Sequence, residues 1–250
     1  SSPYSRLTAR HPLLRYASNR SHCRMEQCPS RPQALHGLFG SDDIFLANTT
    51  IQKFAEDHNI AVVLPSGENS FYVDQKESHK YYGEFIGREL VEMTRNIFPL
   101  SHKKEDTYLA GFSMGGYGAI RNGLKYHDTF GYIGAISAAL LTDDLHNWGE
   151  GDDLLSSKSF AQSCFGDLNK VIGSDMDPKF LIDDLIANDI EIPKIFMAVG
   201  DNDFLYNENI DYYNYLKSRN VDVEFRCSSG EHTWEFCNDY IKEFIEWLPL

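Results

Sequence analysis

The sequence predicts an α/β fold in which a mainly parallel, twisted sheet carries helices on both faces. Three observations point there. Short apolar runs suited to buried strands recur at 60–64, 107–110, 132–136, 195–199 and 221–225. Segments with helical spacing lie between them, and strands that alternate with helices build parallel sheets covered on both sides. A length of 250 residues with 42% hydrophobic content suits one domain with a sizeable core.

The elements follow in order. Residues 1–34 set Arg6, Arg10, Arg15, Arg20, Arg24 and Arg31 against a single acid, Glu26, without period-2 alternation. They read as an atypical basic segment, with the main domain expected over 35–250. Only Gln33, Ala34 and Leu35 are left as a short strand before the loop His36-Gly37-Leu38-Phe39-Gly40, which would hold that loop loosely. An amphipathic stretch at 51–58 leads into the buried run at 60–64, closed by Pro65. Ile86, Leu90, Met93 and Ile97 share one face of a long helix at i, i+4, i+7 and i+11. Residues 139–191 loosen into an acidic stretch with Asp143-Asp144, Asp152-Asp153 and Asp183-Asp184, expected as a cap or lid above the sheet edge. Trp148, Phe160, Phe165 and Phe180 either line an acyl or aryl pocket there or anchor the insertion. The last helix carries Cys237, Ile241, Phe244 and Leu248 on one face. No internal repeat is visible.

The most informative segment is Gly111-Phe112-Ser113-Met114-Gly115, placed where the run at 107–110 must turn into a helix. A serine on such a turn is lifted out of the sheet, and flanking glycines leave room where a Cβ would clash. A lone G-x-S-x-G is common, so context decides. A serine hydroxyl needs a base and a carboxylate that orients the base. Downstream, the run at 195–199 ends in Gly200-Asp201-Asn202-Asp203, and the run at 221–225 leads to Gly230-Glu231-His232. Both sit at the carboxyl edge, where sites of open α/β sheets gather. His232 alone of the nine histidines follows a strand that itself follows a strand-end acid. Asp203 is preferred to Asp201, which would serve as a turn or cap residue. Acyl transfer also needs amide donors for an oxyanion. Met114 N–H, after the serine, and Leu38 N–H, in the earlier glycine loop, are the candidates.

These residues resemble the esterase D-like group of α/β-hydrolases, which includes tributyrin esterase, S-formylglutathione hydrolases and feruloyl or acetyl-xylan esterases. The matching blocks are His36 to Gly40, Val62-Val63-Leu64-Pro65-Ser66-Gly67, Asn69-Ser70-Phe71-Tyr72, Glu89-Leu90, Gly111 to Ala119, Gly200 to Leu205, and Gly230 to Trp234. The resemblance implies the α/β-hydrolase fold. It also implies Ser113 as nucleophile, Asp203 as acid, His232 as base, Leu38 and Met114 as oxyanion donors, and substrate contacts at Phe39, Tyr117 and Trp234. The expected activity is that of a serine carboxylesterase acting on short-chain or aromatic acyl esters through an acyl-enzyme. S-formylglutathione hydrolysis and acyl transfer are the alternatives of the same chemistry, and a non-catalytic binding scaffold is the alternative of another class.

Composition bounds the partners. A formal charge of −14 argues against nucleic acid and anionic membranes, leaving a small-molecule ester as the expected partner, with self-association open. No cofactor and no metal is expected, since paired aspartates without a fixed ligand spacing are usually solvated. Five cysteines without recurrent spacing suit a reduced, cytoplasmic protein. The chain starts at Ser1 with its first methionine at Met25, so export stays open.

Overall fold

The computed structural model describes residues 14–17, 30–149 and 157–250. In chain order its strands are β1 (Leu14–Ala17), β2 (Arg31–Leu35), β3 (Val62–Pro65), the two-residue β4 (Asp74–Gln75) and β5 (Lys80–Tyr81), β6 (Thr107–Phe112), β7 (Tyr132–Ile136), β8 (Lys194–Gly200) and β9 (Val223–Ser228). β4 and β5 make a small ribbon; the other seven form one sheet in the order β1-β3-β2-β6-β7-β8-β9. From β3 to β9 the strands run parallel, and β1 closes one edge antiparallel to β3.

The helices are α1 (Asp42–Asn48), α2 (Ile51–Asp57), α3 (Tyr82–Glu84), α4 (Leu90–Ile97), α5 (Met114–Lys125), α6 (Lys158–Phe165), α7 (Pro178–Ala187), α8 (Tyr206–Ser218) and α9 (Trp234–Trp247). Alternation along the strands divides the core in two. Leu35, Val63, Leu109, Ile133 and Ile195 pack with Leu90 of α4, Ile120 and Leu124 of α5, and Leu216 of α8. Their neighbours Ala34, Val62, Leu64, Tyr108, Ala110 and Phe196 pack on the opposite face with Phe45 of α1, Ile51 of α2 and the expected α9 face of Cys237, Ile241, Phe244 and Leu248.

The reading of residues 31–34 as part of a basic tail is corrected. β2 starts at Arg31, all five of its residues are buried, and it pairs with β6 from Arg31↔Thr107 to Leu35↔Gly111. The domain therefore begins before residue 35, and a full strand leads into the glycine loop. Polar side chains hid it: Arg31 donates to Leu90 O (3.1 Å) and Val91 O (3.4 Å), and Gln33 donates to Ile86 O (3.3 Å). The arginines at 6, 10, 20 and 24 lie outside the described residues.

The long helix also differs from its apolar spacing. A π-helical turn at Phe85–Glu89 joins α3 to α4 and inserts an extra residue into the repeat. After it the buried side is Leu90, Val91 and Thr94, while Ile97 is 53% exposed. Expected as a lid, the described part of 139–191 adds α6 and α7 to the body. It is tied to α5 by Tyr117 Oη donating to Met176 O (2.6 Å) and by the ion pair of Arg121 with Asp175 (2.6 Å).

Arg31 is fully buried with its Nε unpartnered, and burial, then Arg95, disfavours its charge. Arg31→Ala, which opens a cavity and strips the helix carbonyls of donors, is expected to cost about 2–4 kcal/mol in denaturant unfolding. Arg31→Met, which fills the space without a charge, should lie within about 1 kcal/mol of the parent. Equal losses in the two variants would contradict this account.

Candidate active site

Ser113 joins β6 to α5 with φ 59° and ψ −119°, a conformation rarely adopted by residues other than glycine. Two glycines make the turn possible by close approach: a Cβ on Gly111 would lie 2.2 Å from Gly115 O, and one on Gly115 would lie 2.1 Å from Leu35 O. The serine backbone is held by Ser113 N donating to Ile136 O (3.0 Å) and Ser113 O accepting from Ala139 N (3.0 Å). Met114 is the first residue of α5, where amides have no acceptor within the helix.

The order of the sheet reverses between β3 and β6, on either side of β2. That switch point sets the loop after β2 beside the loop after β6. A Cβ on Gly37 would stand 3.2 Å from Ser113 Cβ. Leu38 is bracketed by two restrained residues. His36 donates from Nδ1 to Gly37 O (2.7 Å), accepts at Nε2 from Gly67 N (2.8 Å), and its carbonyl accepts from Tyr72 Oη (3.1 Å). Phe39, at φ 57°, donates its N–H to Asn69 Oδ1 (2.8 Å).

Asp203 follows β8 and His232 follows β9. His232 Nδ1 lies 3.0 and 2.9 Å from the two carboxylate oxygens, and Leu205 N donates to Asp203 Oδ1 (2.8 Å). Burial opposes ionisation of Asp203, but its hydrogen bonds with His232 and Leu205 outweigh this and hold the carboxyl below its usual range. Asp201 is turned elsewhere: its Oδ1 accepts from Gly230 N (3.2 Å) and fastens the histidine loop. The His232 ring stacks on Phe112, the neighbour of Ser113, at 4.6 Å between centroids.

The structure thus gathers Ser113, Asp203, His232, Leu38 and Met114 at one edge. Of the expected substrate contacts, Phe39 is 58% exposed and borders a cavity of about 420 Å³ with Asn69, Tyr82 and Phe160. Tyr117 is corrected to a core residue: it is fully buried, packed on Phe71 and Phe165, and its hydroxyl is spent on Met176 O. Trp234 backs Phe112 and Phe45 (5.4 and 5.7 Å). Of the insertion aromatics, Phe165 is a buried anchor, Phe160 lines the cavity and Phe180 is exposed. Among the described residues no three His, Cys, Asp or Glu side chains converge as metal ligands. Sequence reasoning missed Asn69, whose partner Phe39 lies 30 positions earlier; it stood in a matching block without a readable role.

Residues 33–246 match the protein family described as "Putative esterase". The chain belongs to this esterase family. It is a serine carboxylesterase with the α/β-hydrolase fold. The esterase is 44% identical over 215 residues to an acetyl esterase of Caldicellulosiruptor saccharolyticus, covering 86% of this chain and 81% of the relative. Among solved structures it is similar to the Staphylococcus aureus fluorophosphonate-binding serine hydrolase FphF (31% identity, TM-score 0.82). It is also similar to the Staphylococcus aureus S-formylglutathione hydrolase FrmB (31% identity, TM-score 0.79). Each comparison covers 94% of this chain and 91% of the other.

Because His36 Nε2 accepts from Gly67, the ring in this esterase must stay neutral. Burial lowers its pKa from the ordinary histidine value, against the bond to Gly37 and the charge of Asp42. The unfolded chain then binds more protons just below about pH 6.5, so the stability His36 contributes is present above that pH and lost as pH falls. The melting temperature is expected to drop between about pH 7 and pH 5.5, with a shallower drop in His36→Gln. Identical pH profiles for the two proteins would refute the assignment.

Proposed function

We propose that this esterase hydrolyses short-chain acyl esters through an acyl-enzyme, with Ser113 as nucleophile, His232 as general base and Asp203 as the acid that orients it. The carrying observation is the Nδ1 contact of His232 with both oxygens of buried Asp203, with the imidazole face on the residue next to Ser113. Nδ1–H donates to the carboxylate, which leaves Nε2 as the basic edge. His232 takes the Ser113 proton as Oγ attacks the acyl carbonyl, and the Leu38 and Met114 amides bind the oxyanion. Protonated His232 delivers that proton to the leaving alcohol. A water activated by the same ring then releases the acid and returns the serine.

The preference for short acyl groups is supported by the relative named an acetyl esterase. The cavity beside Phe39, about 420 Å³, offers room for a modest substrate group. Its lining is mixed: Glu68 pairs with Lys80 (3.1 Å), and the Tyr82 phenol is pushed up to about 12, chiefly by burial and then by Glu68. Likeness to FrmB, named an S-formylglutathione hydrolase, favours thioester hydrolysis as the second reading.

Hydrolysis of p-nitrophenyl esters from acetyl to octanoyl, of methyl ferulate and of S-formylglutathione tests both readings. Highest kcat/KM on the acetyl or butyryl ester is expected; dominance of the thioester would transfer the assignment to the second reading. Ser113→Ala should lose about 10⁴-fold or more in kcat, and Asp203→Asn about 10⁴-fold. A folded Ser113→Ala protein with near-parent activity would defeat the mechanism.

Asn69→Ala, which releases the Phe39 amide and with it the Leu38 loop, should lower kcat about tenfold with little change in KM. A change confined to KM would make Asn69 a substrate contact instead.

A further inference from the structure

Two aromatic rings pack against the imidazole of His232. Phe112 stacks on the ring at 4.6 Å and 27°, and Phe204 packs against it in a tilted arrangement at 4.4 Å and 44°. The position of Phe112 is accounted for by the core, where it is buried against Trp234. That of Phe204 is not: at 73% exposure it is the most exposed large hydrophobic side chain among the described residues. Core burial does not hold it there.

The local backbone explains how the ring is aimed. Asp203 Oδ1 accepts from Leu205 N (2.8 Å) and Asp203 O accepts from Tyr206 N (3.0 Å), so Phe204 sits in a turn pinned at both ends. The same turn points the carboxylate at the Nδ1 edge of His232 and sets the phenyl ring against the imidazole. An imidazole bonded along one edge alone can still swing out of its plane. Two aromatic rings packed against the imidazole oppose that swing. They also account for a histidine side chain that is only 15% exposed on a loop at the end of the last strand of the sheet.

We propose that Phe204 is a positioning residue for the base. It holds the His232 ring in the plane that directs Nε2 to Ser113, and it shields the Nδ1–Asp203 hydrogen bond from water. The inference rests on the reading of His232 as general base.

The test compares parent, Phe204→Ala, Phe204→Leu and Phe204→Tyr on p-nitrophenyl acetate and butyrate, with melting curves as a check of folding. Nuclear magnetic resonance of protein labelled at histidine nitrogen follows exchange of the Nδ1 proton. Phe204→Ala is expected to lower kcat about 10- to 100-fold, equally for the two esters, with KM within about twofold. Exchange of the Nδ1 proton should be faster, Leu should be intermediate, and Tyr should restore kcat to within about twofold. Unchanged kcat in Phe204→Ala, or a KM effect that differs between acetate and butyrate, would overturn the proposal, the latter making Phe204 a substrate contact. His232→Ala separates the two levels: if it keeps activity the base assignment fails. If it abolishes activity while Phe204→Ala does not lower kcat, only the positioning role fails.

Discussion

At Gly115 the first turn of α5 passes so close to the end of β2 that a Cβ would lie 2.1 Å from Leu35 O, and Gly111 meets Gly115 with the same tightness. That backbone contact is the constraint behind the rest of the site. It lets Ser113 occupy a left-handed conformation that a non-glycine residue reaches only at a cost of order 1–3 kcal/mol. Buried strands on both sides over-determine the turn, so the strain is retained in the native state. The same closeness brings the loop after β2 against the serine, with Gly37 facing Ser113 Cβ. Ser113 and the His36 to Gly40 loop, from distant parts of the chain, thus share one packing event.

The other half of the site is assembled by a second close approach. A Cβ on Gly200 would meet Gly230 O at 2.3 Å, Asn202 N donates to Gly230 O (2.9 Å), and Asp201 accepts from Gly230 N. These bonds lock the loop after β8 to the loop after β9. Asp203 and His232 then differ in place by one strand spacing, and the charge of the carboxylate is kept by the donors around it rather than by solvent. The two neighbouring aspartates divide the work: one shapes the loop, the other meets the imidazole.

Polar chemistry inside the core has a comparable logic in β2. Arg31 and Gln33 reach the carbonyls of Ile86, Leu90 and Val91, within and just after the π turn of the facing helix. Such groups are tolerated in a buried strand because helix carbonyls accept their protons. Gln33 Oε1 and Arg31 Nε remain unpartnered, which marks this junction as locally costly. Its position directly before the His36 to Gly40 loop ties the stability of the body to the firmness of that loop.

Much of this was legible from the chain alone. The strands at 107–112, 132–136 and 194–200 are apolar runs that only a strand buried on both faces requires, and α9 shows its stripe openly. The elbow, the strand-end aspartate and the histidine after the next strand are local patterns, readable because short-range chemistry demands them. Three things were hidden. β2 looked like a tail because its polar residues are satisfied by a helix some sixty positions away. Ile97 was placed on the buried face with Ile86, Leu90 and Met93 because a π turn leaves no mark in apolar spacing. Tyr117 looked available for a substrate because its place in the elbow helix says nothing of Met176, which takes its hydroxyl. Sequence by itself determined the fold class, the sharp turn at Ser113 and the placing of Asp203 and His232 after successive strands, since each depends on residues adjacent in the chain. Only the tertiary structure decided which aspartate meets His232, what restrains the His36 to Gly40 loop and which aromatic rings pack against the imidazole. Those contacts join separate loops, and their energies exist only once the sheet has brought the loops together.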